Sequence, residues 1–247
     1  MRLLITVLSF LLTTCSMWAD PILLPSEAEE PVSKGVFYLA DSTASITWEQ
    51  IRSGRWDGAF QPLTQEAWQK TTRVYWLRFS VKNPQTLDRE WIFDFENWSE
   101  LDFYTQDSTR VYLQKTGHLL PFRQRDYPVA NKNYIRLLVP SGEEKACWVR
   151  LESRFNNEKI PQHLEFRVAP RTVVDERDAF VGRIIFAFLG IFTVMFLYNS
   201  FVFLSTRLRS YAYYLLVLFF AFYHTAYNSG YLVSLFGWAA GFPVGLT

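Results

Sequence analysis

Between about Val36 and Val168 the apolar positions recur every second residue. Tyr75, Leu77, Phe79 and Val81 alternate with Trp76, Arg78, Ser80 and Lys82, and Asn83-Pro84 stops the run. Trp91, Phe93 and Phe95 alternate with Ile92 and Asp94, and Leu101 and Phe103 with Asp102 and Tyr104. Ile135, Leu137 and Val139 alternate with Tyr134, Arg136 and Leu138. Cys147, Val149 and Leu151 alternate with Trp148, Arg150 and Glu152, and Leu164, Phe166 and Val168 with Glu165 and Arg167. A period of two places successive side chains on opposite faces of a strand, so each run predicts a strand with one apolar face. Short strands separated by Asn, Pro, Gly and Ser turns predict an antiparallel β-sandwich or jelly roll over residues 36–170. One short helix is expected from Trp48 to Ser53, ended by Gly54. Residues 20–35 hold three Pro and four acidic side chains and read as a flexible leader.

The pattern changes past residue 183. Ile184 to Ser205 runs 22 residues without a charge, about 33 Å of helix and enough to cross a bilayer core. Tyr211 to Leu235 predicts a second span. Residues 184–247 therefore read as transmembrane α-helices in contact with membrane lipid, joined to the sandwich by a linker over 171–183. The loop Thr206–Ser210 holds Arg207 and Arg209, which the positive-inside rule assigns to the cytoplasm. Met1-Arg2 followed by an apolar run reads as a signal peptide over 1–19, cut after Ala19. Both arguments put the sandwich on the side of the membrane away from the cytoplasm.

Charge sharpens this division. The chain has 25 Lys/Arg and 24 Asp/Glu; the last 64 residues carry only Arg207 and Arg209. No basic excess exists for a phosphate backbone, which excludes a nucleic-acid partner. With Cys15 lost in the signal peptide, Cys147 is the one remaining thiol and reads as a small buried apolar residue. His118, His163 and His224 are scattered, so no metal site is expected. No phosphate loop or nucleophile motif appears, and neither catalysis nor a cofactor is expected.

Candidate binding residues come from the polar faces of the strands. Aromatic and Arg side chains alternate as Trp76/Arg78, Tyr134/Arg136 and Trp148/Arg150. Aromatic rings stack on sugars and guanidinium groups pair with anions, so such a face suits a carbohydrate or small-molecule ligand. The same pattern describes an internal cation–π ladder or a second buried face, and this plainer reading is weighed above the ligand face. Arg123 and Arg125, in the loop Pro121–Pro128, form a second candidate pair. Tyr198, Asn199, His224 and Asn228 are polar groups within the spans, and helix packing is their expected role.

Phe188-Leu189-Gly190-Ile191, Met195-Phe196-Leu197-Tyr198-Asn199, Arg209-Ser210-Tyr211-Ala212-Tyr213-Tyr214 and Asn228-Ser229-Gly230 resemble the start of a known membrane domain. It is that of bacterial seven-transmembrane receptors with diverse intracellular signalling modules. Tyr75-Trp76-Leu77-Arg78-Phe79, Gly117-His118-Leu119-Leu120-Pro121-Phe122 with Arg125, and Trp148-Val149-Arg150-Leu151-Glu152 resemble that family's type-2 extracellular domain. The resemblance covers about residues 36–240 and implies a jelly-roll sensor for carbohydrates or other small ligands. Such receptors continue through seven helices into a kinase, cyclase or phosphatase. Two spans would return this C-terminus to the outside, so the output is expected from a further segment, a receptor partner or a homodimer. The alternative expectations are a membrane-anchored interaction module for another envelope protein, or the fragment of a receptor enzyme (kinase, cyclase or phosphatase) whose catalytic domain is absent.

Overall fold

The alternating runs become two facing sheets. The structure, a computed structural model, describes residues 20–32, 34–64, 72–96, 98–106, 110–128, 132–154 and 164–230. The signal peptide, His163, residues 231–235 of the expected second span and everything beyond lie outside the described residues. The strands are β1 (Ile22–Leu23), β2 (Glu30–Val32), β3 (Phe37–Asp41), β4 (Gln61–Pro62), β5 (Val74–Lys82) and β6 (Arg89–Asp94), followed by β7 (Glu100–Gln106), β8 (Val111–Thr116), β9 (Tyr134–Val139), β10 (Glu144–Glu152) and β11 (Phe166–Pro170). One sheet is ordered β4-β3-β5-β10-β7-β8, with β1 added in parallel to the end of β5; the other is ordered β2-β11-β6-β9.

Every residue of the six apolar sets faces the space between these sheets and is buried there. Phe79, Phe93, Phe95, Phe103 and Phe166 fill its centre, with ring centroids between 4.8 and 6.5 Å apart. A fully buried side chain of this size contributes about 1.5–3 kcal/mol. Cys147 is fully buried in the same core, and burial pushes its thiol far above the ordinary range. A disulfide-free sandwich of this size is stable through such packing alone.

Two expectations change. Residues 20–35 are not a loose leader: they supply edge strands β1 and β2, Leu24 is buried, and the Trp91 indole donates to the Pro25 carbonyl at 2.9 Å. Pro31 is tolerated because β2 is an edge strand pairing only with β11. Residues 171–183 are not a linker either. They open an unbroken 36-residue helix, Arg171–Thr206, while the short helix expected near Trp48 is present as Trp48–Arg52. We number these helices α1 (Trp48–Arg52), α2 (Arg171–Thr206) and α3 (Arg209–Asn228). Charges at 171–178 hid the helical register, since they serve contacts with the sandwich rather than an amphipathic stripe.

Among the described residues α2 alone is long and apolar enough to cross a membrane; at 1.5 Å per residue it measures about 54 Å. Arg207 adopts a left-handed conformation (φ 54) and its N–H closes the helix on the Phe203 carbonyl at 2.7 Å. Only Arg207 and Leu208 separate α2 from α3, which pack against each other.

Candidate functional site

The outward face of the seven-stranded sheet carries most of the aromatic–Arg pattern. Strand register aligns Phe37, Arg78, Trp148, Tyr104 and Leu113 in one row across β3, β5, β10, β7 and β8. The next row is Leu39, Trp76, Arg150, Asp102 and Lys115. Four of the expected residues, Trp76, Arg78, Trp148 and Arg150, therefore do share one face. They do not share one environment.

Residues 42–60, the excursion between β3 and β4, lie over this face. Leu39, Ile46, Ile51, Phe60, Trp76 and Tyr104 make a second buried cluster there, with Trp48, Trp56 and Trp148 packed against it. Trp48 of α1 stacks on Tyr104 with centroids 4.3 Å apart and planes 7° from parallel, and meets Trp148 edge-on at 5.4 Å. Trp76 is wholly buried. Arg78 is 3% exposed: its guanidinium lies over the Phe60 ring at 4.6 Å and pairs with Asp57 at 2.9 Å. Burial lowers the Arg78 pKa against the opposing pull of Asp57. Burial, then the Asp102 carboxylate, pushes the Tyr104 phenol up to about 12.

The accessible part of the face lies beside this cover. Trp148 and Arg150 are half-buried, and Arg150 pairs with Glu152 at 2.8 Å. Lys115 meets Asp102 at 3.4 Å, and Arg154 bridges Glu100 and Glu152 at 2.7 and 3.3 Å. Aromatic edges thus adjoin a strip of alternating charges. A flat ring can stack on the first while its polar substituents pair with the second.

The other expected residues lie elsewhere. Arg136 projects from β9 on the outer face of the four-stranded sheet, 3.8 Å from Glu90 and above the Tyr127 ring. Arg123 is exposed, whereas Arg125 is buried and holds its own loop, donating to the Leu120 carbonyl at 3.1 Å. That loop starts at Gly117, where φ is +140 and a Cβ would sit 2.4 Å from the Ser99 carbonyl oxygen, so only glycine fits. Burial and the neighbouring Arg125 lower the His118 pKa. In the helices, Tyr198, His224 and Asn228 are exposed, the Asn199 amide donates to the Met195 carbonyl, and Asn228 contacts the His224 ring at 2.9 Å. Among the described residues no group of His, Cys, Asp and Glu has the arrangement of a metal centre.

Trp48, Trp56, Asp57 and Phe60 escaped the strand-based reading, and Tyr104 was placed on its strand but not in the site. The available signal was Trp48, Trp56 and Phe60 falling in a segment with no strand period, where aromatic side chains need a face to cover.

The family described as 7TMR-DISM extracellular 2 matches residues 33–164. The chain belongs to this family. Its sandwich is thus a 7TMR-DISM extracellular sensor domain, as the sequence resemblance implied. No curated protein matches the chain. Solved structures similar to this 7TMR-DISM domain include a putative β-galactosidase from Bacteroides fragilis, at 11% identity and TM-score 0.33 over 57% of this chain and 23% of that one. A β-glucuronidase from Ruminococcus gnavus matches at 10% identity and TM-score 0.32, over 62% and 31% of the two chains. TmCBM61 in complex with beta-1,4-galactotriose matches at 8% identity and TM-score 0.23, over 40% and 63%. The chain spans less than a third of either enzyme.

Proposed function

We propose that this chain is the ligand-sensing and membrane part of a bacterial signal-transduction receptor. The sandwich stands on the periplasmic side of the inner membrane, and it binds a carbohydrate or other small molecule on the outer face of the seven-stranded sheet. The observation that carries this reading is the half-buried Trp148 ring in one row with Tyr104, next to Arg150 and its charged strip. Ring stacking supplies sugar affinity without demanding one sequence of hydroxyls, and the charges orient the substituents. Helices α2 and α3 belong to the bundle that carries the signal inward.

A thermal-shift screen of the full chain in lipid nanodiscs against neutral glycans, acidic glycans and small anions tests this. Binding is expected from at least one glycan, with Trp148→Ala and Arg150→Ala each weakening it about tenfold. Both side chains are partly exposed, so the fold survives their loss. Undiminished binding by both variants would remove this face from the account.

A further inference from the structure

Residues 42–60 cover the aromatic face without being woven into the sheet. Among the described residues their backbone hydrogen bonds run only within the segment and back to Asp41. The Asp41 carboxylate anchors the near end, accepting from the backbone N–H groups of Thr43, Ser45 and Ile46. The rest of the hold is side-chain contact: Ile46, Ile51 and Phe60 are buried with Trp76 and Tyr104, Trp48 stacks on Tyr104, and Asp57 pairs with Arg78. Such a segment can lift as a unit while the sheet ladder stays intact.

Closure also leaves polar atoms without partners. The indole N–H groups of Trp56 and Trp76 and the Ser80 hydroxyl are buried and make no hydrogen bond. Trp76 is 0% exposed and lies in the cluster under the cover; Ser80, 4% exposed, stands two residues beyond Arg78 on β5. Each buried, unsatisfied group costs about 1–3 kcal/mol. Indole N–H groups only donate, so what is missing here is an acceptor.

We propose that residues 42–60 form a displaceable flap whose Trp48 ring and Asp57 carboxylate hold the places of an acidic oligosaccharide. This rests on the ligand-binding reading above and specifies its ligand and its gate. Trp48 lies where a sugar ring stacks on Tyr104. Asp57 holds a carboxylate against Arg78, and a ligand carboxylate takes that place when the flap lifts. The ligand therefore brings a carboxylate. Sugar hydroxyl and ring oxygens answer the unpartnered Trp76 donor. Arg78 and Tyr104 stand in one row two strands apart, about 9.5 Å, which is longer than a single pyranose. Two or more linked rings span it.

The test uses the full chain in nanodiscs, with trimers of galacturonate and glucuronate and their neutral galactose and glucose counterparts. Affinity is read by calorimetry, and flap opening by hydrogen exchange over residues 42–60. Acidic trimers are expected to bind at least tenfold tighter than neutral ones and to speed exchange in 42–60. Trp48→Ala and Asp57→Asn, which remove the two stand-in groups, are expected to tighten acidic-trimer binding several-fold by raising the open fraction. Equal affinity for acidic and neutral trimers, or unchanged affinity in both variants, overturns the flap. Neutral-trimer binding that Arg150→Ala abolishes while 42–60 stays protected leaves the function standing and the flap refuted. No binding of any trimer by wild type or by either flap variant refutes both.

Discussion

The sandwich buries part of both its outer faces, and it does so by opposite means. On the seven-stranded sheet the cover is a detour of the chain, residues 42–60, held by buried Ile46, Ile51 and Phe60, stacked rings and one ion pair with Asp57 half-exposed. On the four-stranded sheet the cover is the start of α2. Val174 is buried there among Ile92, Tyr134 and Ala169. Arg171 pairs with Glu90 at 2.6 Å, and Arg177 reaches both Glu29 and the Tyr134 hydroxyl. The first cover is a segment with its own internal hydrogen bonds. The second is continuous with a membrane-length helix, so it fixes that helix to the sheet. The contrast suits the receptor role proposed above, with one face exchangeable and the other coupled.

Substitutions on each face test this contrast, and the platform beneath the flap is the most costly to disturb. Trp76→Ala opens a large hole under the cover and is expected to lower stability by about 3–5 kcal/mol in chemical denaturation. Val174→Asp places a charge between α2 and the sheet, costing about 2–3 kcal/mol. Its signature is loss of hydrogen-exchange protection in residues 171–178 while 42–60 is unaffected. Arg177→Ala removes charged hydrogen bonds from a half-buried position, costing about 1–2 kcal/mol, and should broaden spin-label distances between β6 and the far end of α2. Trp48→Ala loses one stacked pair, about 1 kcal/mol, with the converse signature of faster exchange in 42–60 and an unchanged α2.

Tyr104→Phe changes least at neutral pH, and it separates the flap chemically. The folded pKa of Tyr104, about 12, stands above its ordinary 10.0 because burial disfavours the phenolate. Its contribution is therefore whole below pH 10 and is lost as pH rises toward 12. The variant should flatten the alkaline fall in stability measured by thermal unfolding.

The strands were legible because alternation is a property of single runs, and the inner face they define is the observed core. Their outer faces were harder. Trp76 and Trp148 occupy equivalent places in the two-residue pattern, yet one is wholly buried and the other half-exposed. The difference comes from residues 42–60, whose packing over β5 is a long-range contact with no periodic trace. Arg78 and Arg136 likewise match in pattern and lie on opposite sides of the molecule, because sheet membership is decided by topology. The edge strands at 22–23 and 30–32 were hidden by Pro and acidic residues, which suit sheet edges as well as loose chain.

Native-state hydrogen exchange on the full chain in nanodiscs tests the central contrast most directly. Amides in 42–60 should exchange through a local opening well below the free energy that opens β5 and β10. Amides in 171–178 should open only together with β6 and β9. Exchange of 42–60 solely with global unfolding of β5 and β10 would contradict it.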